Sequence, residues 1–484
     1  MVKLPLTLED FKACFSIWCF MIGVGTLGMP GSYARAGFVW TTIAMVFMAY
    51  GNAYGAICLS KVMLVAPKSV KTYGDIGGWV FGPVGRYVSV LFQMLVCLLI
   101  PIAFLILGGS LLVVLFPNSF ADTTWIILMG LMLLPVTLIP TLKEGATVAA
   151  VGALGTVLAD SISVYLIVTN MNAQSGDLSP PKPVVTFSSI VSVFGNLNMA
   201  FGCGLVIPSI QLEHSNPVRM QRVITVALLF ITVFFVSIAV AGDWTVGCQI
   251  PGNLLFAIDD TKLGFTANRG YVVLAFLFMQ LHVTIAFAIV AYPALFNAER
   301  LFLGLHKDAA PVLPSPAVDD EGKPVDFVAV GTPNLEHVSN TAALVSKVEE
   351  GEDRVTADYK APGAYLKASL LRTLIVIIMI VVAIVWKDSF NDLVDFVGAS
   401  SGAMTCMVLP MVFHLKVNHA TMGLPEKIVA SIYVVITTIL AVYVTYTTGK
   451  TLFAPGDADP TILFSYCPEK YQRVVYTNRT YYNL

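Results

Sequence analysis

The sequence predicts an all-α membrane protein with about eleven transmembrane helices. Three observations carry that prediction. Of 484 residues, 57% are hydrophobic and 12% charged, against about 25% charged in a soluble globular chain, and mean hydropathy is +0.79. Apolar runs of about 20 residues, the length that crosses a bilayer as a helix, recur from one end to the other. The runs do not alternate: LLRTLIVIIMIVVAIVW, from Leu370 to Trp386, lacks the period-two pattern of a spanning β-barrel.

In order, the runs occupy residues 11–37, 39–64, 87–116, 124–141, 146–169, 188–213, 221–246, 269–296, 368–386, 391–415 and 425–448. Polar or Gly/Pro-rich connections bound them: KSVKTYGDIGGWVFGPVGR, FPNSFADT, TLKEG, QSGDLSPPKP, EHSNPVRMQR, KDSFND and HLKVNHATMGLPEK, with the residue types that end helices. Residues 1–10 form a short lead before span 1, and no small-residue cleavage site follows, so no cleavable signal peptide is expected. Residues 305–366 differ in kind. PVLPSPAVDDEGKP and VEEGEDR are polar and poor in aromatics, the composition of a cytosolic linker or regulatory segment. Residues 449–484 form a tail after span 11.

Orientation follows from the cations. With the N-terminus in the cytosol, fifteen Lys and Arg near span ends, Lys61, Arg86, Arg219 and Arg300 among them, face inward and nine face outward. That is the expected bias. Eleven spans then leave the tail extracytosolic. Asn478-Arg-Thr is a glycosylation acceptor usable only there. Cys248 and Cys467 also fall on that side, where a disulfide could persist, although nothing in the sequence requires them to meet.

Several function classes are excluded. Cys14, Cys19, Cys58, Cys97, Cys203 and Cys406 lie inside apolar runs without metal-ligand spacing, so they read as small buried residues, and no metal is expected. GVGTLG follows no soluble strand and no P-loop exists, so dinucleotide binding and ATP drive lack their motifs. No catalytic constellation, cofactor or nucleic-acid partner is expected, and the net charge of −2 points to none.

Two spans are interrupted. Span 1 contains GVGTLGMP, Gly23 to Pro30, three glycines and a proline in eight residues, poor material for a helix interior. Span 6 repeats the device: Gly202-Cys203-Gly204 precedes Pro208. The two lie five spans apart and are entered from opposite sides, which predicts inverted repeats over residues 11–169 and 188–415, with span 11 appended. Unpaired backbone costs several kcal/mol in lipid, so irregular backbone survives only where it lines a cavity. Paired interruptions of this kind point to a transporter's substrate site, half-helix N–H groups receiving a carboxylate and freed carbonyls an ammonium or a cation. A zwitterionic amino acid meets both needs. Gly23, Val24, Gly25, Thr26, Leu27, Asn198, Phe201, Gly202, Cys203 and Gly204 are the candidate substrate contacts, with Thr26 the preferred side chain. The bland alternative is kinks and close packing by Gly and Pro.

At these residues the chain resembles the amino acid/auxin permease family. FMIGVGTLGMPGSYARAGF is similar to that family's first-helix signature and MAFGCGLVIPSIQLE to its sixth. KTYGDIGGWVFGPVGR, YPALFNAE and FVGASSGAMTCMVLPMVFHL extend the likeness over residues 8 to about 448. The resemblance implies an inverted-repeat fold and secondary transport of amino acids driven by protons or sodium, with spans 1 and 6 rocking against spans 3, 4, 8 and 9.

Polar residues at bilayer depth supply the coupling candidates. A charged side chain there costs about 2.5–3.5 kcal/mol, so Asp160 in span 5 is expected to face the bundle as a proton carrier or a structural carboxyl. His282 in span 8 titrates in a range suited to a proton relay, or simply packs. Thr284 stands one position from where related folds place sodium-site hydroxyls, or bonds its own helix. Asn196, Asn198 and Gln93 read as substrate contacts or as polar glue between helices. Asp243 and Asp395, near span ends, are expected to be solvated. The expected function is amino acid transport by alternating access in a plasma or vacuolar/lysosomal membrane, by proton-coupled symport. Sodium coupling, a sensor that keeps the fold, and a passive channel are the alternatives.

Overall fold

The computed structural model describes residues 6–67, 69–139, 145–259, 261–305 and 358–483 except 455, 457, 458 and 460. Most of the 305–366 insertion, residues 141–144 of the TLKEG connection, Lys68 and Lys307 lie outside the described residues.

Every regular element among the described residues is helical. In chain order these are α1 (Leu8–Met21), α2 (Met29–Val65), α3 (Tyr73–Leu115), α4 (Asp122–Thr137), α5 (Gly145–Ser175), α6 (Phe187–Phe201) and α7 (Ile207–Glu213). There follow α8 (Met220–Val246), α9 (Arg269–Ala298), α10 (Ala364–Val385), α11 (Phe390–Val397), α12 (Leu409–Val417) and α13 (Leu424–Phe453). Among the described residues eight stretches are long and apolar enough to cross a membrane, and α4 and α6 are shorter apolar helices. With α1 they accommodate the eleven runs: α1 is the first half of span 1, and α2 holds its second half together with span 2 in one element. It bends at Gly37, whose φ of +74° lies in the left-handed region that a residue with a Cβ adopts only at a cost.

Two elements differ from expectation. The connection before span 3 is helical from Tyr73, because Thr72 and Asp75 form a reciprocal capping box that satisfies two free amides. Span 10 is not one regular helix: π-turns at Gly398–Gly402 and Met404–Val408 separate α11 from α12. Such π-turns are frequent at functional sites.

The buried apolar side chains fall into two clusters. One joins α3, α4, α5, α9, α10 and α11 with Val24 and Leu27, the loop after α8 and part of the tail. The other joins α1, α2, α6, α8 and α12. Leu229, Val233, Ile377, Val381, Ile439 and Val442 are exposed, an apolar exterior suited to lipid. The chain is an integral membrane protein.

Candidate functional site

Both predicted interruptions are present. α1 ends at Met21, Ile22 and Gly23 are extended, and one turn, Val24–Leu27, leads through Gly28 into α2. The first amides of that turn have no acceptor within it. Its carbonyl end is met by the loop after α8, where the Leu254 amide donates to Leu27 O at 3.0 Å. In span 6, α6 ends at Phe201 and α7 begins at Ile207, with non-helical backbone between. The last carbonyls of α6 are likewise left without helical donors.

The interruptions face each other. A Cβ built on Gly25 would stand 2.7 Å from both the Cα and the Cβ of Ala200. Asn196 reinforces the junction: its amide donates to Ser32 Oγ at 3.0 Å. Asn198 donates to Gly398 O at 2.7 Å and accepts from Asn52 at 3.1 Å, joining α6 to the π-turns and to α2.

A cavity of about 300 Å³ lies beside the junction. Gly23, Val24, Gly25, Asn198 and Gly202 line it, with Val96, Ile100 and Phe104 of α3 and His282, Ile285 and Ile289 of α9. Ser16, in the N-terminal half of span 1, and Ser209 and Glu213, in the C-terminal half of span 6, also line it, and these two half-spans end on the same face, where the Ser215 amide donates to Glu9 at 2.6 Å. The cavity therefore extends to the face that carries the N-terminus. The other candidate contacts point elsewhere. Thr26 is fully buried, its hydroxyl donates to Gly23 O at 2.7 Å, and it does not line the cavity. Leu27 lines a small cleft on the opposite face. Phe201 packs edge-on against Phe235, Cys203 is fully buried, and Gly204 packs on Thr405 O. Gln93 is absent from the cavity wall. Phe104, Ile285 and Ile289, which sequence reading missed, carry no signal distinguishing them from other apolar residues in a span.

Two ionisable side chains flank the interruption of span 1. His282 is buried beside Gly23 and Gly152: a Cβ on Gly23 would meet Nε2 at 2.8 Å, and one on Gly152 would meet Nδ1 at 3.5 Å. Phe104 meets the ring edge-on at 6.3 Å, and Nδ1 has no hydrogen-bond partner. Asp160 is 1% exposed, and neither carboxylate oxygen has a partner. The Thr26 hydroxyl lies beside it but gives its proton to Gly23 O. Thr284 does not join this group. It is exposed and donates to Gln280 O of its own helix at 2.8 Å, because two positions' advance from His282 turns a side chain about 200° around the helix.

The face opposite the N-terminus is shut. Arg35 and Asp395 pair at 2.5 Å with side chains 12% and 4% exposed. The cleft beside them, reached by Val24, Leu27 and Asn253, measures about 10 Å³. Asp395 is thus buried and paired rather than solvated, and Asp243, 4% exposed, is buried as well. Each lies within the bundle because its helix continues past it to pack on a neighbour, which position in the chain does not reveal. On the N-terminal face Asp10 accepts from Arg219 Nε at 3.0 Å and lies 3.1 Å from His214 Nε2. The Arg219 guanidinium holds the Asp10 carboxyl well below the usual carboxylate range. Asn478 is exposed, and its side chain caps the turn Arg479–Tyr482.

Comparison with known proteins accords with this geometry. The protein MhsT, in a crystal structure with L-phenylalanine, superposes with a TM-score of 0.52 over 90% of this chain and 98% of that one, at 11% identity. That likeness is one of fold alone. Among curated proteins, "Amino acid transporter AVT1I" of Arabidopsis thaliana is 26% identical over 245 residues, 49% of this chain and 60% of that one. "Amino acid transporter AVT1J" of the same plant is 25% identical over 264 residues, 52% and 60% of the two chains. The matched stretch thus spans about 60% of the length of these relatives. A family model described as "Transmembrane amino acid transporter protein" matches residues 9–450. With nine-tenths of its length covered by that match, this chain belongs to the transmembrane amino acid transporter family.

Proposed function

We propose that the protein carries amino acids across its membrane by alternating access, in symport with protons. The observation that carries this reading is the contact of the two interruptions at Gly25 and Ala200 beside a cavity of about 300 Å³. Amides at Gly23, Val24 and Gly25 suit a carboxylate, and the carbonyl end of α6 suits an ammonium. The wall formed by Val96, Ile100, Phe104, Ile285 and Ile289 favours an uncharged side chain, because an unpaired charge buried there would be costly.

A cavity continuous with the N-terminal face, and a shut pair at Arg35 and Asp395, correspond to one of the two states such a carrier needs. The division of the buried core into two clusters suits a bundle moving against a scaffold. Proton coupling is preferred because Asp160 and His282 sit beside the interruption with unpartnered polar atoms, while Thr284, the hydroxyl on which a sodium reading drew, is exposed. A cytosolic N-terminus, a plasma or vacuolar/lysosomal membrane, and Asn478 as a glycosylation site complete the proposal.

Uptake of labelled amino acids into proteoliposomes under an imposed pH gradient tests it, with sodium replaced by choline at fixed pH. Accumulation that survives choline is expected. No accumulation of any amino acid sinks the carrier reading, and accumulation abolished by choline sinks the proton assignment.

A further inference from the structure

The segment after α13 folds back over the shut face. Cys467 is disulfide-bonded to Cys248, with Cα atoms 5.3 Å apart. Cys248 lies at the root of the loop whose Leu254 amide meets Leu27 O. Beside the disulfide, Gln249 is fully buried and donates to Tyr471 O at 2.8 Å and Val474 O at 2.9 Å, while its carbonyl accepts from the Tyr476 amide at 2.9 Å. The Val184 amide donates to Tyr466 O at 2.9 Å. These bonds hold the Tyr466 ring where the Arg35 guanidinium lies 5.7 Å from its centroid. Arg35 therefore has two partners from different parts of the chain: Asp395 of α11, and a tail residue locked to the loop that covers span 1.

We propose that the tail is a working part of this gate. Tyr466 is a positioning residue that keeps Arg35 on Asp395, and the Cys248–Cys467 bond couples that hold to the loop after α8, so that the two seals open as one. The inference rests on the alternating-access reading. A cation over an aromatic face at a partly exposed site contributes about 0.5–1 kcal/mol. The open fraction of a state without that contact therefore rises about two- to five-fold when the ring is removed.

The test is the labelling rate of Val394→Cys, a cleft-lining residue 5% exposed on the shut face, by a hydrophilic maleimide. The full chain is used in lipid nanodiscs, and the parent protein's own rate is subtracted, because Cys19 and Cys406 line the cavity on the other face. Tyr466→Leu and the double variant Cys248→Ser/Cys467→Ser are each expected to label about two- to five-fold faster. Tyr466→Phe, which keeps the ring, is expected to label at the starting rate. A purely structural tail would lower the melting temperature in all three without separating Phe from Leu. Equal labelling rates in properly melting variants overturn the proposal. If Val394→Cys stays unlabelled even when Asp395→Asn breaks the ion pair, this face does not open, and the alternating-access reading fails with it.

Discussion

Gly25→Ala is the sharpest perturbation of the junction. The new methyl would stand 2.7 Å from Cα and Cβ of Ala200, where carbon atoms rest at about 3.5–4.0 Å. The shortfall is about 1 Å. Neither contacted atom can rotate away, one being backbone and the other attached directly to it, so α6 and the turn Val24–Leu27 must part by that amount. Overpacking of this kind costs about 1–3 kcal/mol. Gly449→Ala is the control: within α13 its methyl would meet Phe396 at 3.4 Å, the edge of a side chain, and replacing a helical glycine stabilises by up to about 1 kcal/mol. Thermal melts of the two purified variants in lipid read the difference directly. Gly25→Ala is expected to melt lower than the parent and to bind substrate more weakly, Gly449→Ala to melt at or above it. If Gly25→Ala melts and binds as the parent does, the two interruptions do not touch, and the site loses its foundation.

Breaking the Arg35–Asp395 pair with Asp395→Asn leaves a guanidinium 12% exposed without its partner. A loss of about 3–5 kcal/mol is expected, and Arg35→Met/Asp395→Leu should recover much of it; denaturation of the parent and the two variants checks this, and equal losses in both variants would refute it. His282→Gln and Asp160→Asn are each expected to retain exchange of labelled for unlabelled amino acid while losing accumulation driven by a pH gradient, and undiminished accumulation in either clears that residue of proton coupling. The Asp10–Arg219 pair has a definite pH signature. Because the folded carboxyl titrates below its unfolded value near 3.9, its contribution is complete above that value and declines as pH falls toward the folded one. The stability difference between the parent and Arg219→Gln should be flat from pH 5 to 8 and shrink below about pH 4; a change between pH 6 and 8 would assign the effect to another group.

The sequence by itself determined that the chain spans a membrane as helices, roughly where each span lies, and that spans 1 and 6 are interrupted. These properties are local. Hydropathy over about 20 residues reports insertion, and clustered Gly with Pro reports the interruption. Only the tertiary structure decided which residues of the interruptions face the cavity. Thr26 turns inward to Gly23 O while Gly23, Val24 and Gly25 face the cavity, a choice made by the rotation of half-helices against α6 and α9. It alone joined Arg35 to Asp395 across 360 residues and Cys248 to Cys467 across 219. Such partners are selected by how whole helices and loops pack against one another, and no stretch of sequence read alone contains both members.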